Sequence, residues 1–522
     1  PLACTPDPSS AAPITGSTEV CQVHFEHANS VQRLSDPPRP SKPYSAEEWT
    51  QIDRLADQVD QDILARDIRL TQGGEPTFVG IDHRDAPEWN TAALGPHKRE
   101  RAFELLYRLR DHFAPQGLLH FGQGKWYPGE ELPRWKFACY WRTDGEPIWA
   151  DPALVADEKQ PVGAGLAEAE RFAQRLAERL RVSPTHVIAG MEDTVYYLWK
   201  EGTLPNNVDP LQANTKDPLE RQRLRRLLER GLDQAAGFAL PLAWDGTRWF
   251  SHRWEFRRGR MYLIPGDSPM GYRLPLDSLP FANPGDLPIN LGPHQFHLPG
   301  PLPDIRGEVA RRMQQPIGEN LPTMADDQNT MGGPSPTGSP ERGSANSQQT
   351  VPTDSLWISP GALTRTALCV EPRQGTLHIF MPPLPTLEAY LDLVASVEAT
   401  ASDLQIPVLV EGYEPPDDVR IENISMSPDP GVLEVNTPPS SRWGQLCDIT
   451  ETLYELARQS RLTTTKFLID GRHVGTGGGN HFVLGGPCLG DSPFLRRPDL
   501  LRSILSFWQN HPSLSYLFSG LF

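Results

Sequence analysis

Cysteine is scarce: six residues in 522, at Cys4, Cys21, Cys139, Cys369, Cys447 and Cys488, with no C-x-x-C pair. Spacing that wide excludes a zinc knuckle and a dense disulfide scaffold, and points to reduced thiols. Long apolar runs are also lacking. Nothing approaches the ~18 consecutive apolar residues of a membrane span, and residues 1–17 have neither the basic nor the apolar region of a signal peptide. A cytoplasmic location is the expectation. Positive charge is in deficit, Lys+Arg 49 against Asp+Glu 66 for a net −17, so phosphate backbones and anionic lipid are repelled. A general nucleic-acid or membrane-surface role is therefore disfavoured, and neither is expected as a partner. The Walker lysine is missing too: Gly122-Gln-Gly-Lys125-Trp fails its spacing, and no segment fits the dinucleotide fingerprint.

What is present describes a folded chain with many turns. A hydrophobic fraction of 38% with 13 Trp and 19 Phe is too apolar for a disordered chain, while 54 Pro is about twice the usual share and implies loops. The length allows about three domains, or two large ones with connectors. A start at Pro1 and an apolar finish over 514–522 lead us to expect a fragment of a longer protein.

Alternation and spacing divide the chain. Residues 1–44, rich in Pro, Ser and Thr with one alternating piece at 20–25, are expected to be the tail of an upstream domain and a linker. Ser45 and Glu48 form a capping box, and Trp49, Ile52, Leu55, Val59 and Ile63 predict a helix to about Arg66. Strand structure at 68–82, a helix through Ala102, Leu105, Leu106 and Leu109, and a strand at 118–121 follow. Helices over 164–182 and 217–231, the latter ringed by arginines, precede antiparallel β structure at 238–265 with turns at Asp245-Gly246 and Arg258-Gly-Arg260. Residues 314–355 lose apolar periodicity and are expected to be a disordered insertion between a first part, 45–313, and a second, 356–522. The second part reads as strands at 364–371, 375–381, 407–411, 420–426, 432–436 and 465–470, with helices at 385–403, 443–459 and 498–509. Strand and helix in this order give an α+β fold class.

Three segments can carry chemistry. In Gln72-Gly-Gly-Glu75-Pro-Thr77-Phe78, Glu75 and Thr77 share a strand face and a carboxylate there can reach a metal; the plain alternative is a loop glutamate after a turn. In Asp429-Pro-Gly-Val-Leu-Glu434-Val-Asn436, Glu434 and Asn436 present two hard oxygens from a strand whose other face is apolar, unless that polar face is merely solvated. The strand ending in Glu411-Gly-Tyr-Glu414 closes the same way. In Gly475-Thr-Gly-Gly-Gly-Asn480-His481, glycine backbone and one imidazole can approach a phosphate or a carboxylate.

Taken in order, these segments resemble the glutamine synthetase pattern, and most closely the amidoligases, glutamine-synthetase-like proteins in which this domain commonly follows a transglutaminase-like one. Gly74-Glu-Pro-Thr77, 122–129, 265–269, 366–371, 411–416, 428–436 and 477–481 carry the resemblance, which covers roughly 45–522 apart from the insertion. It implies a catalytic domain with a mainly antiparallel sheet flanked by helices, and an ATP- and Mg²⁺-dependent carboxylate–amine ligase acting on small-molecule or peptide substrates through an acyl phosphate. On that resemblance Glu75, Glu434, Asn436 and Glu411 would hold metal. Gly477, Gly478, Gly479 and Asn480 would meet nucleotide, with Lys125 and Arg134 as further anion contacts, and His481 and Asp429 would be catalytic. Lys125 and Arg134 equally suit surface or structural charges, and Asp429 equally suits a turn. One departure stands out: the second acid expected two residues after Glu75 is Thr77. The competing reading is an accessory or binding module of a transglutaminase-like, cysteine-peptidase-type protein.

Overall fold

A computed structural model describes residues 21–23, 31–33, 45–128, 130, 133–204, 206–207, 231, 234–257, 259–279, 299–314, 364–467 and 473–511. The helix expected over 217–231 and the insertion expected over 314–355 fall outside these, apart from Gly231 and Gln314. Contacts divide the described residues into two units. The first takes those within 1–152, 293–301 and 418–522, and the second those within 153–292 and 302–417.

In chain order the first unit opens with α1 (Ala46–Ala65), capped as its sequence specifies: Ser45 Oγ accepts from the Glu48 N–H, and the Glu48 carboxylate accepts from the Ser45 N–H. Strands β1 (Thr71–Glu75) and β2 (Thr77–Gly80) follow, broken at Pro76. Helix α2 (Pro96–Phe113) starts on a proline, and Glu88 accepts from the N–H groups of His97 and Lys98, satisfying donors a helix start leaves open. Strands β3 (Leu118–Gln123) and β4 (Trp135–Arg142) pair antiparallel.

The second unit carries α3 (Leu166–Arg179), β5 (Ile188–Met191), α4 (Thr194–Gly202), β6 (Ala235–Pro241), β7 (Met261–Tyr262), α5 (Ile305–Gln314), β8 (Ala367–Arg373), β9 (Thr376–Met381), α6 (Leu387–Leu404) and β10 (Val408–Gly412). Its sheet runs β7-β5-β6-β8-β9-β10. β9 and β10 are parallel, which requires a crossover, and α6 supplies it. α6 is buried almost all round because α3 and α5 also pack on it. Its acids are neutralised where they lie: Asp392 accepts from Trp249 Nε1 at 2.7 Å and from Arg312, and Glu398 pairs with Arg306 at 2.6 Å. The β structure expected over 238–265 is partly different. Asp245-Gly246 makes the turn of a hairpin joining Ala243–Trp244 to Trp249–Phe250, with Gly246 at φ +103°, but β7 joins β5 parallel, over only two residues.

The chain then re-enters the first unit with β11 (Ile421–Asp429), β12 (Val432–Asn436), α7 (Trp443–Gln459), β13 (Leu462–Thr463), β14 (Thr465–Phe467), β15 (His473–Gly475), β16 (His481–Gly485) and α8 (Pro498–Gln509). This unit's main sheet has the order β3-β4-β11-β12-β2-β13, all antiparallel. Its register aligns one apolar row: Leu119 and Phe121 oppose Cys139 and Phe137, which oppose Ile424 and Met426; Val435 and Leu433 continue it to Phe78. That face is covered by α2 and α7, with Phe103 4.7 Å from Phe137 and Phe78 5.3 Å from Tyr454, centroid to centroid. Because side chains alternate, the opposite face is left for polar groups. No helix among the described residues is long and apolar enough to cross a membrane. Cys139, Cys369, Cys447 and Cys488 are free thiols.

Candidate active site

The polar face is set by register. Ser427, Glu434 and Thr77 lie in line across β11, β12 and β2, with Asn436 two residues along on the same side. Glu434 is buried, and its Oε1 accepts from Lys125 Nζ at 3.0 Å and from Asn436 Nδ2 at 3.3 Å. Lys125 follows the end of β3 and is half exposed. Burial pulls its pKa down, but the Glu434 carboxylate outweighs that and raises it.

A second ion pair sits where β11 ends. The buried guanidinium of Arg134 pairs with Asp429 and with Glu130, the latter at 2.6 Å, and lies 4.3 Å above the Tyr127 ring. Burial raises the Asp429 pKa, the Glu434 charge adds to it, and the surrounding cations oppose it. The turn beyond is held through its carbonyls. Lys98 Nζ, closed from solvent, donates to Asp429 O at 2.7 Å and to Ala93 O at 2.8 Å, and Lys466 Nζ donates to Gly431 O at 3.2 Å. Gly431 has φ +75°, and a Cβ there would stand 2.7 Å from Asn90 O, so glycine is required twice over.

The glycine segment packs on the same face. A Cβ on Gly478 would lie 2.9 Å from Val432 Cγ2 and 3.1 Å from Thr77 Cγ2, so only bare backbone approaches this closely. Asn480 Oδ1 accepts from the Thr77 N–H at 2.9 Å, and the Thr77 hydroxyl bonds that of Thr476 at 2.6 Å. Asn480 thus ties the turn to β2. His481 opens β16 opposite Glu75 on β1, and its Nδ1 stands 3.0 Å from Glu75 Oε2. A Cβ on Gly479 would be 2.6 Å from His481 Nε2. The ring is 63% exposed, so this is not a core histidine.

The first unit therefore gathers Glu75, Lys125, Arg134, Asp429, Glu434, Asn436, Gly477 to Gly479, Asn480 and His481. Glu411 belongs to the second unit. It stands one residue before the end of β10, buried, paired with Arg373 and 3.4 Å from His378 Nδ1. Burial pushes its pKa up, yet Arg373 and His378 prevail and hold it at about 2. Among the described residues no group of three or more His, Cys, Asp or Glu is arranged to hold a metal. Thr77, where an acid was expected, is buried with its hydroxyl engaged by Thr476. Sequence reading passed over Lys98 and Lys466, whose acceptors are backbone carbonyls. The one available signal was a lysine inside the strand that leads to the glycine segment.

The seven segments that carry the resemblance sort by unit: 74–77, 122–129, 428–436 and 477–481 fall in the first, and 265–269, 366–371 and 411–416 in the second. In the second unit the residues just past 265–269 reach the other two segments: Met270 N donates to Glu371 Oε2 at 3.0 Å and the Tyr272 and Tyr413 rings are 5.8 Å apart. No curated protein and no solved structure matches the chain. The model of one family, described as "putative amidoligase enzyme (DUF2126)", matches residues 19–522. That match runs through both sets of segments and nearly the whole length, and the chain belongs to this amidoligase family of enzymes.

Proposed function

We propose that the protein is an ATP- and Mg²⁺-dependent ligase that joins a carboxylate to an amine through an acyl phosphate. The observation that carries this reading is the register placing Glu434 and Thr77 in line beneath the glycine turn, with Lys125 reaching in from the end of β3. In the first step a carboxylate oxygen bonds the γ-phosphorus of ATP as its bond to the ADP oxygen breaks. In the second the amine nitrogen bonds the acyl carbon, the carbon–oxygen bond to phosphate breaks, and the amine gives up a proton.

The titratable residues of the site have work in that scheme. Glu434 and Glu75 would hold Mg²⁺, which when bound would neutralise phosphate charge. Lys125 and Arg134 add fixed positive charge where negative charge develops. With its proton on Nδ1, donated to Glu75, His481 keeps Nε2 as an acceptor beside Gly479. Asp429, whose proton affinity is raised by burial and by Glu434, suits the group that takes the amine's proton.

Two of the four free cysteines among the described residues offer no nucleophile. Cys139 is buried within the sheet with its thiol pushed up to about 12, and Cys369 is buried likewise, so neither is poised as a thiolate. The buried Thr77 favours one competing reading, a binding module without turnover. The test is release of ADP and phosphate across a panel of carboxylates and amines, with the amide sought by mass. Nucleotide turnover indifferent to both substrates would defeat the ligase reading, and nucleotide binding with no product would favour the module.

A further inference from the structure

Four cations surround the Asp429–Gly431 turn and Glu434, and three of them are satisfied. Lys125 has the Glu434 carboxylate; Arg134 has Asp429 and Glu130; Lys98 is closed from solvent among carbonyls. Lys466 differs. It is half-buried, burial lowers its pKa, and among the described residues its hydrogen-bond partner is one carbonyl, Gly431 O at 3.2 Å. An ammonium taken partly out of water costs free energy until an anion faces it.

Its surroundings suit such an anion. Methyl groups built on Gly431 and Gly477 would stand 3.4 and 3.9 Å from Lys466 Nζ, and both glycines have positive φ, +75° and +88°. Nζ therefore lies between two turns that approach it as bare backbone, the arrangement that lets a bulky tetrahedral anion come close. We infer that Lys466 is a phosphate-contacting residue of this site, holding a phosphoryl oxygen between the 429–431 turn and the 476–479 turn. Naming the ligand as the triphosphate of a nucleotide rests on the ligase reading; the demand for a phosphate-like anion does not.

The probe is inorganic tripolyphosphate, titrated by calorimetry into the full chain, with glutarate as a second arm to represent a carboxylate substrate. Wild type should bind tripolyphosphate in preference to glutarate. Lys466→Met should weaken tripolyphosphate at least ~10-fold, the scale of one charge-assisted hydrogen bond, and Lys466→Arg should recover most of it. If Lys466→Met melts well below wild type, Lys466→Gln and Lys466→Arg at matched folded fraction carry the comparison. No binding by wild type, equal affinity in the charge-removing variants, or a preference for glutarate would each overturn the inference. Tripolyphosphate binding that needs Lys466 without ATP-dependent amide synthesis upholds it and removes the ligase reading. Amide synthesis with anion binding indifferent to Lys466 removes this inference alone.

Discussion

Glu434→Gln separates catalysis from folding. The change is nearly isosteric and removes one negative charge, and the carbonyl of the new amide can still accept from Lys125 Nζ, now 3.0 Å from the carboxylate. The ammonium left without its countercharge is half exposed, so water screens it and the stability cost should be small, about 0–1 kcal/mol. Chemistry should suffer far more. If this carboxylate holds the nucleotide-bound metal and places Lys125, its loss should lower the single-turnover rate by ~10²–10³, comparable with removing one preorganised charge-stabilising group. Thermal melting and single-turnover amide formation on the same preparation provide the assay. Wild-type turnover in the variant would refute the reasoning and leave Glu434 as one half of a solvated ion pair. A drop in melting temperature large enough to explain the lost activity would do so too.

His481→Ala should cost ~10²–10⁴ in ligation rate while leaving melting almost unchanged, because the ring is 63% exposed; a large thermal loss with normal activity per folded molecule would restore a structural role. Lys98, its pKa pulled down to about 7 by burial, binds fewer protons folded than unfolded between about pH 7 and 10. Wild-type stability should therefore rise with pH through that window relative to Lys98→Met in urea titrations, and a flat or falling difference would contradict the assignment. Leu106→Ala, at a fully buried α2 position, should destabilise by about 2–5 kcal/mol; a cost under 1 kcal/mol in denaturant unfolding would mean that α2 does not pack as described. On the proposed reading tight ATP binding should need divalent metal, since Glu434 and Glu75 would bring the metal that neutralises the triphosphate; equal affinity in excess chelator would refute this.

The fold was legible wherever one face of an element is apolar and its ends carry polar signals. The helix over 443–459 runs as expected, and α1 begins at the capping box its sequence announces. Legibility failed where that contrast is missing. In β4, Trp135-Lys-Phe-Ala-Cys-Tyr-Trp-Arg142, aromatic and apolar side chains fall on both faces and no alternation marks a strand. In α4, Val195, Leu198 and Trp199 are exposed while Tyr197 is buried, so its apolar spacing does not point to a core. The site divides the same way. The strand face of Glu434 and the glycine approach could be read from residue order, whereas Lys98 and Lys466 act on backbone carbonyls, which carry no sequence signal.

Glu411 and Glu434 show why residue order stops short of function. Both stand toward the end of an apolar strand, and the sequence puts them on equal terms as metal ligands. Alternation fixes the face of a strand that a side chain occupies, but not which side chains fold against it, and the two acids end in different units. Their partners then separate them. Glu411 is buried against Arg373 with His378 alongside, and removing a partner from a buried pair costs about 3–5 kcal/mol. Glu434 faces a lysine that is 50% exposed and can swing into water for far less, leaving the vacated position open to a metal ion that accompanies an anionic ligand. Readiness to exchange a partner is what a binding carboxylate requires, and by that measure the proposed ligation is assigned to Glu434 rather than to Glu411.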